Sequence, residues 1–315
     1  MSQQIITVTP NLALDHTVVV ENFVTGQVYK TVQSTHAAGG KGMNVARALK
    51  TLHHTAVNMG FAGGYIGKFV DAKAKEDGLH AQWTWIKEET RICTIIVDRV
   101  ENSSTDVNEQ GPLTSATDWE RLSEDILAQA NTQANSHVCL CGSLPRGASL
   151  EYYPRLIQAL LDAGHLVWVD TSSTALIAAA TVQPSYLKIN QLEAEVLLNR
   201  PITTPEDCAT AIQTLCHQGL DTVIITQGGD GAMAGNLHGV WQCKAPAIQV
   251  VSTTGSGDSF LAGMLHGIHS HQDLATALKA GVASGSANAL SIGGGKFTLE
   301  AFDKLYQQVH VEQIK

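Results

Sequence analysis

The 315-residue chain is 44% hydrophobic, enough apolar material for one large core, with or without a small appendage. A net charge of −9, with only 20 lysines and arginines, argues against nucleic acid or an anionic membrane as the main partner. No apolar run reaches the length of a membrane span, and the N-terminus lacks the basic and apolar parts of a secretory signal, so we expect a cytoplasmic protein.

The cysteines and histidines of the sequence form no recognised redox or metal-binding motif. None of the six cysteines belongs to a C-x-x-C pair, so we predict buried free thiols. The chain has no H-E-x-x-H, and the pairs His53–His54 and His269/His271 fall at predicted helix ends, where surface histidines are expected. No zinc site is predicted.

The first third of the chain combines βα units with two segments of a different kind. Strand-like runs occur at 5–9 and 56–61, and helical patterns near 42–52 and 64–78. Two further segments, about 12–37 and 91–110, are rich in strand formers with no helix between their strands. We predict that they form a small β-strand lid over the carboxyl edge of a sheet, where α/β proteins place their sites. The alternative is a pair of edge hairpins of the main sheet.

From residue 137 onward, strands and helices alternate. The strand-like runs are 137–142, 166–170, 186–190 and 222–227, and the helical patterns are 150–163, 190–198, 205–218, 258–268, 273–290 and 298–309. Continuous β-branched runs separated by helices predict a parallel sheet with helices on both faces. With no internal repeat, we predict one main α/β domain spanning 1–315.

The stretch TTGSGDSF (253–260) joins a strand-like run to a helix and excludes several loop types. The chain contains no Walker A pattern, and this stretch fits neither the dinucleotide fingerprint nor G-x-S-x-G. Gly255 and Gly257 allow backbone amides to approach an anion at the positive end of the helix. Asp258 is then either a general base for an alcohol or a residue that caps the helix.

A second glycine cluster, AAGGKGMNVARALKTL (37–52), also precedes a helix. Gly39 and Gly40 can bring backbone close to a polyol, Lys41 supplies a positive charge, and Asn44 can donate to and accept from hydroxyls. The alternative is a turn followed by a capped helix.

Together these stretches resemble the phosphofructokinase-B branch of the ribokinase-like sugar kinases. The matching motifs are AGGKGMNVA, KINQLE and STTGSGDSFLAGML, with further similarity in TPNLALD, ETRICT, EQGP, CGSLPRG and VDTSS. The resemblance therefore covers nearly the whole chain. It implies a ribokinase-like three-layer α/β/α core with a mostly parallel central sheet and a small β-strand lid.

The same resemblance assigns roles around the two glycine loops. It implies that Asp258 is the catalytic base and that the amides of Gly255, Ser256 and Gly257 stabilise charge on the transferred phosphoryl group. Glu193, in the N-x-x-E motif, would orient Mg²⁺ through water. The alternative for Glu193 is a first-turn carboxylate stabilised by the helix dipole.

The remaining implied contacts divide into a nucleotide side and a sugar side. ATP contacts are implied for Lys188, Asn190, Glu193, Thr226, Gly228, Gly231, Ser252 and Asn288. Sugar-phosphate contacts are implied for Asp15, Gly39, Gly40, Lys41, Asn44, Arg91 and Ser143, with Lys30 as a further candidate. Helix packing is the alternative explanation for Asn288, and an exposed strand arginine is the alternative for Arg91.

The implied activity is ATP-dependent phosphorylation of a ketohexose phosphate to the bisphosphate. Ser252, Asp15 and GSLPRG favour the hexose-phosphate subgroup, which includes 1-phosphofructokinase, tagatose-6-phosphate kinase and the minor 6-phosphofructokinase; we favour fructose 1-phosphate. The family also implies Mg²⁺, a monovalent cation near Thr254 and segment 286–293, and a homodimer through the lid. The rivals are a kinase of an unphosphorylated sugar or nucleoside, a non-catalytic sensor, and an NAD-linked oxidoreductase, which would lack its fingerprint.

Overall fold

A large central sheet organises the protein in its computed structural model, which describes residues 3–101 and 103–315. The strands are β1 (Ile5–Thr9), β2 (Ala13–Val20), β3 (Gln33–Gly39), β4 (Ala56–Gly63), β5 (His80–Ile86), β6 (Arg91–Asp98), β7 (Ser103–Asn108), β8 (His137–Cys141), β9 (Leu166–Asp170), β10 (Tyr186–Asn190), β11 (Thr222–Thr226), β12 (Ala232–Asn236), β13 (Gly239–Cys243) and β14 (Val311–Gln313). The helices are α1 (Lys41–Thr51), α2 (Gly64–Glu76), α3 (Ala116–Ala130), α4 (Tyr152–Asp162), α5 (Ser173–Ala180), α6 (Gln191–Leu198), α7 (Pro205–His217), α8 (Ser256–His269), α9 (Leu274–Ala289) and α10 (Leu299–Gln308).

The central sheet is mostly parallel. Its strand order is β14-β13-β12-β11-β10-β9-β8-β1-β4-β5, and the seven strands from β11 to β5 all run parallel. Strands β12, β13 and β14 extend one edge in antiparallel pairing. Because parallel strands are covered on both faces, they read as continuous apolar runs, which is why the sequence predicted them.

Helices cover both faces of this sheet and produce two cores. Neighbouring residues of β1 show the division, since Ile5 packs into one core and Ile6 into the other. One core receives residues from α1, α2, α8, α9 and α10, among them Met43, Val70, Leu265, Leu278 and Phe302. The other receives residues from α3 to α7, among them Trp119, Tyr153, Leu176, Ala194 and Ile212. The predicted three-layer α/β/α architecture is confirmed.

The two helix-free segments pair with each other in a second sheet of four strands, ordered β3-β2-β6-β7. Strands β2 and β6 are parallel, while β2–β3 and β6–β7 are antiparallel hairpins. Ala13 of β2 lies between Gly39 of β3 and Arg91 of β6. The segments are therefore not edge hairpins of the main sheet.

Some elements and side chains differ from the sequence-based expectation. Helices α3 and α5 and strands β5 and β12 to β14 were not predicted. His53 and His271 are exposed as expected, but His54 and His269 are half-buried with their ring centroids 5.1 Å apart. All six cysteines are free and buried, as predicted. Among the described residues, no helix combines the length and apolarity needed to cross a bilayer.

Candidate active site

A loop of residues 253–257, here called the anion loop, leads into α8 at the carboxyl edge of the central sheet. Gly255 adopts a left-handed conformation with φ of 78°, and an added Cβ would lie 2.3 Å from Cα of Gly294. Only glycine fits this position without displacing the neighbouring loop. The first amides of a helix have no carbonyl partners within it and so suit an anion. In α8 the Ser256 amide already donates to the Thr253 carbonyl oxygen at 3.1 Å, which leaves the amides of the two flanking glycines, Gly255 and Gly257, for that role.

Asp258 lies in the first turn of α8 and is buried. Its Oδ2 accepts a hydrogen bond from Asn44 Nδ2 at 2.8 Å, which links α8 to α1. Burial raises the pKa of Asp258; Asp170 adds to this effect, whereas Lys41, Asn44 and Lys188 oppose it. A carboxylate whose pKa is raised toward neutrality is suited to accept a proton from an alcohol.

Asp170, at the end of β9, joins two lysines from different elements. Its Oδ1 accepts from Lys41 Nζ at 2.8 Å and its Oδ2 from Lys188 Nζ at 2.9 Å. The Asp170 side chain is 1% exposed and that of Lys188 is 7% exposed. Burial alone would raise the pKa of Asp170, but the two ammonium groups outweigh it and hold the pKa below its ordinary value. Asp170 in turn raises the pKa of Lys41, so Lys41 remains charged.

Lys188 approaches the anion loop directly. A Cβ added to Gly257 would lie 3.2 Å from Lys188 Nζ, so the ammonium group stands beside the loop backbone. Lys41, on the first turn of α1, is 37% exposed and is therefore accessible to a ligand. Two fixed positive charges next to free amides form a site for a phosphoryl group.

The second sheet brings its own polar residues to the same edge. The backbone of Gly39 packs so closely on Asp15 that an added Cβ would lie 2.2 Å from the carboxylate carbon. Burial raises the pKa of Asp15 to about 6; Arg47 and Arg91 lower it, and Asp258 adds to the rise. Gly40 is the N-cap of α1, with φ of 106°.

Asn11, between β1 and β2, holds together two predicted phosphate contacts. Arg91 Nε donates to the Asn11 carbonyl oxygen at 3.2 Å, and Asn11 Nδ2 donates to Ser143 Oγ at 3.2 Å. Arg91 Nη1 also donates to the Glu109 carbonyl oxygen at 3.0 Å. Arg91 is therefore half-buried and fixed, and is not a freely exposed strand residue. Lys30 lies exposed between β2 and β3.

A cleft of about 520 Å³ adjoins the other side of the anion loop. Its wall includes four of the predicted nucleotide contacts and two residues of the anion loop: Asn190, Thr226, Gly228, Gly231, Ser256 and Gly257. Small and apolar residues complete it, including Ala245, Pro246, Ile248, Val282 and Ala289. A largely apolar cleft with a few polar groups at one end suits a flat heterocycle linked to a charged group.

A match to a family model decides the class of protein. The model of the pfkB family carbohydrate kinases covers residues 8–301. The chain belongs to this family. It is 32% identical to 1-phosphofructokinase of Bacillus subtilis, over 98% of this chain and 100% of that protein. It is 28% identical to tagatose-6-phosphate kinase of Staphylococcus epidermidis, over 98% of this chain and 100% of that protein.

Solved structures of other proteins share the fold of this carbohydrate kinase. Phosphofructokinase-2 from Escherichia coli in complex with potassium superposes with a TM-score of 0.92 at 26% identity, covering 97% of this chain and 99% of that one. Its tetrameric inhibited form gives a TM-score of 0.90 at 26% identity, with the same coverage. The predicted family, fold class and enzyme class are confirmed.

Two of the implied ATP contacts, Asn288 and Ser252, form hydrogen bonds to the anion loop. Asn288 is completely buried beneath the anion loop. Its Nδ2 donates to the Thr254 carbonyl oxygen at 2.8 Å, and its Oδ1 accepts from Ser259 Oγ and from the Lys296 amide, each at 3.0 Å. It braces the loop and is not among the residues that line the cleft. Ser252 Oγ accepts from the Thr254 amide at 3.3 Å, within the loop itself.

Glu193 forms a capping box at the start of α6. Its Oε2 accepts from the Asn190 amide at 2.8 Å, while Asn190 Oδ1 accepts from the Glu193 amide at 2.8 Å. The Glu193 carboxylate is half-exposed, so its other oxygen is free to bind a hydrated ion. Among the described residues, no cluster of three or more His, Cys, Asp or Glu side chains could hold a metal. The donor set therefore fits Mg²⁺ only as a hydrated ion shared with the nucleotide.

Three residues of this site carry no role in the sequence-based assignment: Asp170, Asn11 and Arg47. Asp170 could have been found, because an acidic residue that ends an apolar strand of a parallel sheet lies at the edge where sites form. Asn11 and Arg47 act through backbone carbonyls and side chains far away in the chain, for which a single sequence provides no indication.

Proposed function

We propose that this carbohydrate kinase transfers the γ-phosphoryl group of ATP to fructose 1-phosphate, giving fructose 1,6-bisphosphate. The observation that carries the proposal is the position of Asp258, buried between the nucleotide-sized cleft and the polar residues of the second sheet. The full-length similarity to 1-phosphofructokinase supports the choice of sugar.

The catalytic step begins with Asp258. Its carboxylate accepts the proton of the free primary hydroxyl of the sugar phosphate, and that oxygen attacks the γ-phosphorus of ATP. A new O–P bond forms while the bond to the bridging oxygen of ADP breaks, and the electron pair leaves with ADP. The proton remains on Asp258 until solvent removes it. The Asn44 hydrogen bond keeps the carboxylate aimed at the hydroxyl.

Charge that develops on the transferred group meets the anion loop and the two lysines. We assign the amides of Gly255, Ser256 and Gly257 to the phosphoryl oxygens, with Lys188 beside them; the Ser256 amide must leave the Thr253 carbonyl oxygen to take this role. Because Asp170 fixes both ammonium groups before substrate arrives, little reorganisation is needed in the transition state. The cleft wall at Asn190, Thr226, Gly228 and Gly231 takes the rest of the nucleotide.

On the sugar side, we assign the hydroxyls to Asp15, Gly39, Gly40 and Asn44. Arg91 and Ser143, linked through Asn11, take the phosphate that the substrate already carries, with Lys41 between the two phosphate positions. Arginine suits this role because its planar fork can bind two phosphate oxygens. Asn44 has one amide hydrogen left for a hydroxyl, since its other contacts are to protein.

Glu193 is the residue we assign to Mg²⁺, through water. When bound, the ion neutralises charge on the β- and γ-phosphates of the nucleotide. A monovalent cation near Thr254 and segment 286–293 is a further proposal, supported by the potassium complex of E. coli phosphofructokinase-2. Activity measured in potassium and in tetramethylammonium salts would test it, and equal rates would count against it.

The alternative substrates are tagatose 6-phosphate, supported by the relative of that name, and fructose 6-phosphate. ADP release should be measured with these two, with fructose 1-phosphate, and with unphosphorylated fructose, ribose and adenosine. The proposal expects the highest kcat/KM with fructose 1-phosphate. A higher value with another sugar phosphate would change the substrate, and no ADP with any of them would remove the kinase activity.

We propose that the second sheet acts as the lid of this site and as the contact between two copies of the chain. Strand β7 is exposed throughout, and the half-buried residues of β2 and β6 include the apolar Val18, Ile95 and Val97. A tetrameric form of E. coli phosphofructokinase-2 supports self-association in the family. Sedimentation analysis should give a mass near twice that of the chain, and a monomeric mass would contradict this.

We propose that the kinase acts in the cytoplasm, where ATP and sugar phosphates are available. The six free, buried cysteines fit a reducing compartment. Cell fractionation followed by an antibody to the protein would test this, and recovery outside the cytoplasmic fraction would contradict it.

A further inference from the structure

Arg47, on α1, is buried and uses every N–H group that it has. Its Nη1 donates to Asn44 Oδ1 at 3.0 Å and to the Gly294 carbonyl oxygen at 2.9 Å. Its Nη2 donates to the Ala38 carbonyl oxygen at 2.8 Å and to Asp77 Oδ2 at 3.0 Å, and its Nε donates to the same Asp77 oxygen at 3.1 Å. A guanidinium group has five donors and no acceptor, so its capacity is filled.

This arrangement determines which way the Asn44 amide faces. Because Arg47 can only donate, the Asn44 atom that faces it must be the oxygen. The NH₂ group of Asn44 is then directed at Asp258, where it donates at 2.8 Å. With the amide reversed, an oxygen would face the Asp258 carboxylate and an NH₂ would face the guanidinium, and both contacts would be repulsive.

The same guanidinium also fixes the backbone on two sides of the site. Gly294 packs against Gly255 of the anion loop, since a Cβ added to Gly255 would lie 2.3 Å from Gly294 Cα. Ala38 precedes Gly39, whose backbone contacts Asp15. One side chain thus connects the partner of Asp258, the support of the anion loop and the point where β3 leaves the second sheet.

We propose that Arg47 is the positioning residue of the catalytic base, acting through Asn44 to hold Asp258 in place. The inference rests on the proposed function, in which Asp258 removes the proton of the sugar hydroxyl. Arg47 touches neither reacting group; it fixes the donor that does contact the base.

The groups facing Asp258 come from several elements and make the effect measurable. Lys41 of α1, Asn44 of α1 and Lys188 of β10 lower the pKa of Asp258, whereas burial and Asp170 of β9 raise it. Asp15 of β2 also interacts with Asp258, and Arg47 lowers the pKa of Asp15. A useful variant must therefore keep the charge at position 47 while removing the fork.

Arg47→Lys meets that condition, since lysine keeps the charge but has no planar five-donor fork. We expect kcat with the sugar phosphate to fall about 10-fold, because the loss of one hydrogen bond to a charged group has an effect of that size. When kcat/KM is plotted against pH, the fall in activity on the acid side (the acid limb) should move to higher pH. The reason is that Asp258 loses a donor that favours its ionised form. The KM for ATP should change little.

Asp77→Asn is the matched control, because Asp77 is part-exposed and contacts Arg47 from the side away from Asn44. This variant should keep the wild-type acid limb. Arg47→Lys with a wild-type kcat and acid limb would overturn the role of Arg47. No ADP release by the wild-type protein with any sugar phosphate would overturn the proposed function and this inference with it.

Thermal unfolding reports whether Arg47→Lys is folded. If the Arg47→Lys protein is not folded, Asn44→Asp provides the test instead. Its carboxylate still pairs with Arg47 but directs an acceptor at Asp258. The acid limb must then move to higher pH, and an unmoved limb would overturn the inference.

Discussion

Lys188 donates to Asp170 across 2.9 Å with both side chains almost fully buried. The same carboxylate also pairs with Lys41 at 2.8 Å. The single negative charge of Asp170 therefore pairs with two ammonium groups. A net positive charge remains to bind the phosphoryl group that the proposed reaction transfers.

Asp170→Asn should destabilise the protein and slow the reaction. Removing one partner of a buried ion pair leaves the other charge unpaired, so the free energy of unfolding should fall by about 3 kcal/mol. Chemical denaturation measures this, and Asp162→Asn, on the exposed end of α4, is the control that should leave stability unchanged. A stable Asp170→Asn protein would show that the lysines do not depend on it.

Asp258→Asn should lower kcat by about 10²–10⁴-fold and leave ATP binding intact, as measured by titration calorimetry. It should also make the protein more stable at neutral pH. The folded-state pKa of Asp258 is raised, so its contribution to stability is complete below the unfolded pKa and is lost as pH rises through the folded pKa. The gain in Tm should therefore disappear at acid pH. Near-normal turnover would show that Asp258 is only a residue of the first turn of α8 and is not the catalytic base.

Gly255→Ala and Gly164→Ala form a matched pair. Both glycines have φ near +80°, but an added Cβ at Gly164 meets open space, whereas at Gly255 it meets Gly294 at 2.3 Å. Each alanine should cost about 1–2 kcal/mol for the left-handed backbone. Only Gly255→Ala should also lower kcat, by at least about 10-fold, because it displaces the anion loop. Equal kinetics for the two variants would mean that the loop tolerates movement.

Arg91→Ala should raise the KM for the sugar phosphate about 10-fold or more and leave the KM for ATP within about twofold. The reason is that Arg91 is fixed near Ser143 on the second-sheet side, away from the cleft. Arg99→Ala removes an exposed arginine paired with Glu21 just beyond the same strand and should change neither constant. Equal increases in both KM values for Arg91→Ala would remove it from the sugar-phosphate site.

A histidine cluster at the opposite edge of the sheet should make the protein acid-sensitive. His54 Nε2 and His266 Nδ1 lie 2.8 Å apart, and His137 Nδ1 accepts from Trp168 Nε1 at 3.1 Å. Burial lowers the pKa of His54 to about 4 and that of His137 to about 4. The unfolded chain therefore binds more protons between about pH 6.5 and 4, and stability should fall as pH drops through that window.

Thermal unfolding across pH 4–8 measures this dependence. His54→Gln should flatten the curve, whereas His238→Gln, in the exposed turn between β12 and β13, should keep the wild-type slope. A wild-type slope for His54→Gln would show that the cluster does not titrate on unfolding.

The sequence predicted the parts of the molecule whose causes are local. Strands buried on both faces are continuous apolar runs, and Asp258 follows two glycines at a helix start, so both could be recognised. Strands β12 to β14 could not, because AMAGN and VEQ are short and have weak strand propensity.

The role of Arg47 depends on Ala38 and Gly294, which only the tertiary fold brings to it. Asn288 illustrates the same dependence on tertiary packing. Its position among small residues of a helix does not distinguish a side chain that faces a cleft from one that braces the loop beneath it. Local pattern identifies elements and exposed loops, whereas the direction of a side chain is decided by packing.

The pairing of β2 with β6 joins Ala13 to Arg91, so the two hairpins of the second sheet can join only after the intervening α1, β4, α2 and β5 have folded. Such non-local pairing adds loop-closure entropy that only a preformed core can offset. The two hairpins should therefore join late during folding, after that part of the core has formed. The anion loop follows both hairpins along the chain, so during synthesis the sugar side of the site emerges first, and the two halves meet only when α8 packs on α1.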